Sequence, residues 1–460
     1  MSDWLSSALD YIPTWIDYQR ELFDQPGVSL AIAHKGQVLL EHASGLADLA
    51  TREPLTPSHR FRVASHSKTF TAAGIMLLRE RNKIWLDDRL GEYLADLTPQ
   101  VFDVTISQLL SHAAGLTRDG PDGGQFSDRR PFLSEAEFRA DLSAPQPLGP
   151  GVTFKYSNHG FALLGKVIEK VTGEPYGRWI HDHVVAPAGL TETTPDFDPT
   201  VCRPFARGHS TRQPYGRRFV IPGDNVTNDM ASATGFTATA GDLARFFGQL
   251  SPGAQSSILT AASRREMTRR HWRDAHSQLE RYYGLGTISG PPGPWGWVGH
   301  AGAFQGTLTR SVVLPEQDIA ISILTNAIDG LANVWFEGVI HILKTIHDVG
   351  APGPETAHWR GRWWTLWGPL DLVPGKDRVL VATPSQLSPF LDATELSPSG
   401  IDKAVVTSAQ AFGDLGEACR LFRGPAGMVE QVRIGGKHLV TEDAIRSEIR
   451  HRYQPSSGAV

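Results

Sequence analysis

Cysteine is scarce in this chain, with only Cys202 and Cys419 among 460 residues. They lie far apart in no metal-like spacing, which argues against a disulfide framework and against a cysteine-built zinc site. No uncharged apolar stretch reaches the about 18 residues that a membrane-spanning helix needs. No run of five or more Lys or Arg occurs and the net charge is −5, so there is no electrostatic footprint for DNA or RNA. The first residues, MSDWLSSALDYIPTWIDYQRELFDQ, carry Asp3, Asp10 and Asp17 where a secretory signal would need basic residues and an unbroken apolar run. They read as an amphipathic helix. The expectation is a cytoplasmic protein with no membrane and no nucleic-acid partner.

What is present is bulk: 460 residues, 40% of them hydrophobic, enough for a large core and for two domains. "GVSLAIAHKGQVLLEHASGLAD" places two apolar runs around Lys35-Gly36, which predicts an antiparallel hairpin. Thr69 to Arg81 suits a buried helix starting near Ser65 or Ser67, either of which could cap it, and Gly74 within it predicts close packing. Residues 100 to 290 alternate helical pieces with Pro- and Gly-rich loops. "GHAGAFQGTLTRSVVLPEQDIAISILTN" then returns to strands around a turn at Pro315 to Asp318, followed by a strongly apolar helix.

Strands at both ends of this region can meet in one antiparallel sheet, giving an α+β domain with flanking helices and a mainly helical lobe. Residues 1–348 are assigned to that domain and 349–355, with "GAPGPE", to a linker. Residues 356–460 show short strand-like runs separated by Gly and Pro turns, which predicts a small C-terminal antiparallel barrel or sandwich. The tryptophans at its start are core or a docking face.

Three short stretches carry the chemistry. Lys68 follows Ser65 by three residues, so on a helix the two share a face. If burial strips the lysine of its charge, the neutral amine can accept the serine proton. Alone the pattern is weak, since chance supplies a Ser-x-x-Lys about half the time in such a chain. Tyr156 and Asn158 stand two apart before a helical segment and offer a phenol for proton transfer and an amide for a substrate carbonyl. His300-Ala301-Gly302 opens a strand whose glycines let a ligand approach, and the N–H of Ala303 could form an oxyanion hole with that of Ser65. His181-Asp182-His183 lacks a third ligand at suitable spacing, so no metal is expected. Trp295 and Trp297 read as packing, though they abut the third stretch.

All three in this order resemble the serine β-lactamase and penicillin-binding-protein superfamily, in its class C-like branch with D-aminopeptidases and family VIII esterases. "SQLLSHAAGL" and "YSNHGFALLGKVIEKVTG" resemble the same branch, and the likeness covers residues of about 25 to 345. It implies an acyl-enzyme hydrolase without a cofactor. Ser65 would be the nucleophile, Lys68 its proton acceptor and Tyr156 a general acid and base, with the first proton open to either Lys68 or Tyr156. Asn158 would bind the substrate amide, while His300, Gly302 and Ala303 line the opposite wall. Many members have Lys where this chain has His300, whose side chain is largely neutral at pH 7, and this disfavours penicillin as the substrate. A small amide, peptide or ester is expected, with D-aminopeptidase-like cleavage slightly preferred. An esterase or weak β-lactamase is the alternative, and a penicilloyl-binding module without turnover is the reading from another class. Homo-oligomers are possible partners.

Overall fold

The computed structural model describes residues 3–275, 277–409 and 413–454. Two compact units are formed, one of Gln25–Phe336 and one of Met1–Asp24 with Glu337–Val460. The division falls inside the helix Ala332–Val349, ahead of the stretch 349–355 assigned as a linker from sequence.

The larger unit is built on an antiparallel sheet. Strands Gly27–His34 and Gln37–Asp48 join through Lys35 and Gly36, both at positive φ (51° and 78°), the turn that matches the twist of paired strands. Gly27–His34 also pairs with Ile319–Thr325, in the register Val28 to Thr325, so the two ends of the unit lie side by side. Thr307–Leu314 and Val298–Phe304 follow outward. Both Gly27–His34 and Ile319–Thr325 are buried nearly throughout, which is why they read as continuous apolar runs without alternation. Three two-residue strands, Trp272–Arg273, Tyr282–Tyr283 and Ile288–Ser289, extend the sheet beyond Val298–Phe304.

The helix Ser67–Glu80 is buried from Ser67 to Leu78, all round, and so forms a fixed post in the core. Phe70 stacks between Phe236 and Phe246, with centroids at 4.5 and 4.0 Å. A Cβ at Gly74 would come within 2.6 Å of Ile180, so this glycine admits the close packing the sequence predicts. The expected serine cap is absent. The N-cap is His66 without a side-chain bond, because a 3-10 turn over Ala64–His66 leads into the helix. Ser67 Oγ instead donates to the Ala64 carbonyl and accepts from the Phe236 N–H.

In the smaller unit eight short strands from Gly361–Thr365 to Lys437–Val440 close into a barrel, one of the two forms expected for the C-terminal segment. Trp363 lies in its core, while Trp367 is 97% exposed on the hairpin before Gly368–Pro374. The helix Asp3–Leu22 buries Leu5, Leu9, Ile12 and Ile16, the one-sided spacing of an amphipathic helix. Trp15 and Gln19 of that helix both donate to the Gln386 carbonyl.

Candidate functional site

The 3-10 turn at the head of the helix Ser67–Glu80 holds Ser65. Ala64 sits at φ 47°, a left-handed conformation that costs a non-glycine residue free energy. Three residues along, Lys68 is wholly buried, with Nζ 3.1 Å from Ser65 Oγ, 2.7 Å from Asn158 Oδ1 and 2.7 Å from the Ala233 carbonyl. A π-helical turn over Ala231–Gly235 presents that carbonyl. Tyr156 donates its phenolic O–H to Ser65 Oγ at 2.9 Å. Hydroxyl, amine, phenol and amide therefore meet at one point from two distant stretches.

Asn158 is the first residue of the helix Asn158–Thr172, which Ser157 caps by accepting the Gly160 N–H. The third stretch lies on the strand Val298–Phe304, which packs on the Ala64–His66 turn. Gly302 is in contact with that turn, and the neighbouring Ala303 is exposed. His300 is oriented elsewhere. Its Nε2 lies 3.1 Å from the Tyr283 hydroxyl and its Nδ1 2.7 Å from the Ala301 carbonyl, with no hydrogen bond to Ser65, Lys68 or Tyr156 among the described residues.

Burial governs the electrostatics. It drives Lys68 well below its ordinary value, while Asp119 raises it and Arg118 lowers it to a smaller extent. Burial also raises Tyr156 above the usual phenol range, so the phenol keeps its proton. His300 is held neutral by burial first, then by the nearby His66 and Lys68. Buried His66 is pushed down to about 3.

A neutral lysine has two N–H groups and one lone pair. In that neutral state the Ala233 carbonyl and Asn158 Oδ1 would take the two N–H groups and leave the lone pair to Ser65.

Four further residues at the site are not among the candidates read from sequence, though His112 lies within the stretch SQLLSHAAGL. Asp119 accepts from Asn158 Nδ2 and pairs with Arg118 Nε at 3.0 Å. Arg118 also covers the Tyr156 ring, 5.4 Å from its centroid. His112, at φ 56°, lies 4.1 Å from the Tyr156 ring and accepts the Ser157 N–H at Nδ1. Tyr283 bonds His300 and flanks His112 at 4.6 Å. A cleft of about 340 Å³ opens beside Tyr156, with Arg118, Phe154, Tyr283 and Ile288 on its walls. Trp297 is a packing residue: Arg310 lies over its ring and Phe336 meets it edge-on. His181 bonds Asp182, and His183 packs on Trp179.

An antiparallel sheet with a helical lobe, and a serine held between a buried amine and a phenol, mark a serine hydrolase. The chain belongs to the Beta-lactamase family, whose sequence model matches residues 16–333. Penicillin-binding protein 4* of Bacillus subtilis is 34% identical over 169 residues, 35% of this chain and 36% of that protein. Protein flp of Staphylococcus aureus is 28% identical over 187 residues, 40% of this chain and 37% of the relative. The match thus spans little more than a third of these relatives' length.

Among solved structures, SurE superposes with a TM-score of 0.63 at 25% identity, covering 95% of this chain and 99% of its own. The octameric penicillin-binding protein homologue from Pyrococcus abyssi gives 0.65 at 21% identity, covering 94% and 99%. D-amino acid amidase from Ochrobactrum anthropi SV3 gives 0.61 at 24% identity, covering 74% and 99%. These last two likenesses are of fold. Among the described residues no helix is long and apolar enough to cross a membrane.

Proposed function

We propose that the protein cleaves an amide bond of a small D-aminoacyl amide or peptide through an acyl-enzyme on Ser65. The observation that carries this reading is the Lys68 environment: a wholly buried amine whose two other neighbours are both acceptors, with Ser65 Oγ at 3.1 Å. The Ser65 proton passes to the Lys68 lone pair as Oγ bonds to the substrate carbonyl carbon. The negative charge forming on the carbonyl oxygen is met by the N–H groups of Ser65 and Ala303. Tyr156 gives its proton to the leaving nitrogen as the C–N bond breaks, and the proton on Lys68 restores the phenol through the same hydrogen-bonded cluster. Water then attacks the ester by the reverse sequence.

The substrate preference draws support from two sides. His300 is neutral and engaged with Tyr283, so it supplies no positive charge to anchor a substrate carboxylate. SurE, similar over nearly the whole chain, also has a structure with D-Leu, which superposes with a TM-score of 0.61. In this assignment every site residue falls within the unit Gln25–Phe336. Self-association is part of the proposal, in view of the octameric relative of like fold, and light scattering after size exclusion tests it.

The deciding experiment is a panel of D- and L-aminoacyl p-nitroanilides, short acyl p-nitrophenyl esters and nitrocefin. D-Aminoacyl anilides should turn over fastest. Hydrolysis of esters alone makes the protein an esterase, nitrocefin turnover equal to the best substrate makes it a β-lactamase, and a permanent Ser65 adduct without product makes it a binding module. Ser65→Ala and Lys68→Ala should each lose several orders of magnitude in rate.

A further inference from the structure

The Asn158 amide stands between two very different neighbours. One end meets Lys68 Nζ at 2.7 Å and the other meets the Asp119 carboxylate. An ionised carboxylate only accepts hydrogen bonds, so Asp119 can be faced by the amide nitrogen but not by the amide oxygen. We infer that Asp119 is a positioning residue, which fixes the Asn158 amide with its oxygen toward Lys68 and thereby directs the Lys68 lone pair at Ser65. The inference rests on the proposed role of Ser65 and Lys68.

The alternative orientation shows why this matters. With the amide reversed, Nδ2 would face Lys68, and the neutral amine would meet that donor with its lone pair. That lone pair would be drawn from Ser65, and the serine would lose its base. The second carboxylate oxygen of Asp119 is held by Arg118 Nε at 3.0 Å, so the carboxylate cannot turn without breaking an ion pair.

The loop that carries Asp119 is itself fixed to the helix that carries Asn158. The Arg118 carbonyl accepts the N–H groups of both Asn158 and His159, at 3.0 and 3.3 Å, two of the donors that a helix start leaves unpaired. Ser157 Oγ donates to the Thr117 carbonyl at 2.6 Å. The Thr117 N–H donates to Gln146 Oε1, and the His159 ring pairs with Asp141 at 2.9 Å. Carboxylate and amide are therefore tied together by one cluster of hydrogen bonds.

Charge provides the readout. The groups acting on Lys68 are Asp119 and Arg118 from this loop, His112 and His300 from neighbouring elements, and the un-ionised Tyr156 phenol that shares Ser65 with it. Asp119 raises the Lys68 value and Arg118 lowers it. The charge of Asp119 alone shifts the acid limb, whereas the positioning role adds a fall in the plateau that a retained carboxylate restores.

The experiment is the pH dependence of kcat/KM on the best chromogenic substrate for four full-length variants, with melting curves to confirm folding. In Asp119→Asn the residue can face either end of the Asn158 amide. The plateau should fall at least tenfold and the acid limb should move to lower pH by half a unit or more. Arg118→Gln should move the limb to higher pH. Asp119→Glu, which keeps the carboxylate, should recover most of the plateau and the limb. If Asp119→Asn keeps its plateau and limb while Ser65→Ala is inactive, the positioning role is overturned and the hydrolase reading stands. A rate loss equal in Asp119→Glu and Asp119→Asn, with no limb shift in either, also overturns it. Turnover by Ser65→Ala would remove the reading beneath it and the inference with it.

Discussion

Gly302 lies directly against Val63. A Cβ placed on Gly302 would sit 2.2 Å from the Val63 carbonyl oxygen, 2.4 Å from Thr309 Oγ1 and 3.0 Å from His66 Nδ1. The strand Val298–Phe304 can therefore approach the Ser65 turn only because residue 302 has no side chain. Gly302→Ala must push the strand and turn apart. The expected result is a loss of about 1–3 kcal/mol of stability from overpacking, read from denaturant midpoints. The rate should fall about 10²-fold, because a catalytic group is misplaced by a fraction of an ångström or more. An alanine variant with unchanged kcat/KM and melting temperature would show that the contact is dispensable.

The same contact shows what the chain makes legible. Ser65 and Lys68 are three positions apart, and any helical or 3-10 geometry brings them together, so their pairing is written locally. The hairpin at Lys35-Gly36 and the buried strand Ile319–Thr325 are equally local, since turn residues and apolar runs mark them. Asp119 and His112 are different. They reach the site because a loop caps a helix, and no periodicity records which loop does so. Tyr283 lies on a two-residue strand, too short for alternation to show. The helix Asp3–Leu22 reads as amphipathic, but its pattern does not say what it covers; its Tyr11 and Trp15 bond Asp371 and Gln386.

Tyr156→Phe isolates a single hydroxyl. The phenyl ring keeps its place beside His112 and its face toward Lys68, 4.8 Å from the centroid, and loses only the donor to Ser65 Oγ. The expected result is a fall of about 10²–10⁴ in kcat, the range for losing a general acid–base group. The melting temperature should stay close to that of the parent. Turnover within threefold of the parent, measured on the same amide, would remove Tyr156 from the proton path.

Three buried imidazoles make the fold acid-sensitive. His66, His112 and His300 are all held below the ordinary histidine value, chiefly by burial, and His66 sits down at about 3. Between those folded values and about 6.5 the unfolded chain binds more protons than the folded one. Their contribution is thus fully present above pH 6.5 and is lost as pH falls toward each folded value. The slope should approach about 1.4 kcal/mol per pH unit for each histidine still neutral. Urea midpoints between pH 6.5 and 5, above most carboxylate titration, measure it. A flat profile in that window would contradict the buried, neutral assignment.

The barrel unit turns on one carboxylate. Asp371 is 3% exposed and receives Arg362 through two bonds, at 2.7 and 2.8 Å, while Tyr11 donates to the same group at 2.9 Å. Arg362 belongs to the strand Gly361–Thr365, Asp371 to Gly368–Pro374 and Tyr11 to the helix Asp3–Leu22, so three elements share a single anion. Removing one partner of a buried pair leaves the other charge uncompensated, at a cost of about 3–5 kcal/mol. Arg362 keeps some exposure, which places Asp371→Ala at the lower end of that range. Asp371→Asn keeps the volume and a hydrogen bond to Tyr11 but abolishes the charge, and it should lose less. Denaturant unfolding of both variants separates the charge from the packing, and equal midpoints for parent and Asp371→Ala would show that the anion holds nothing together.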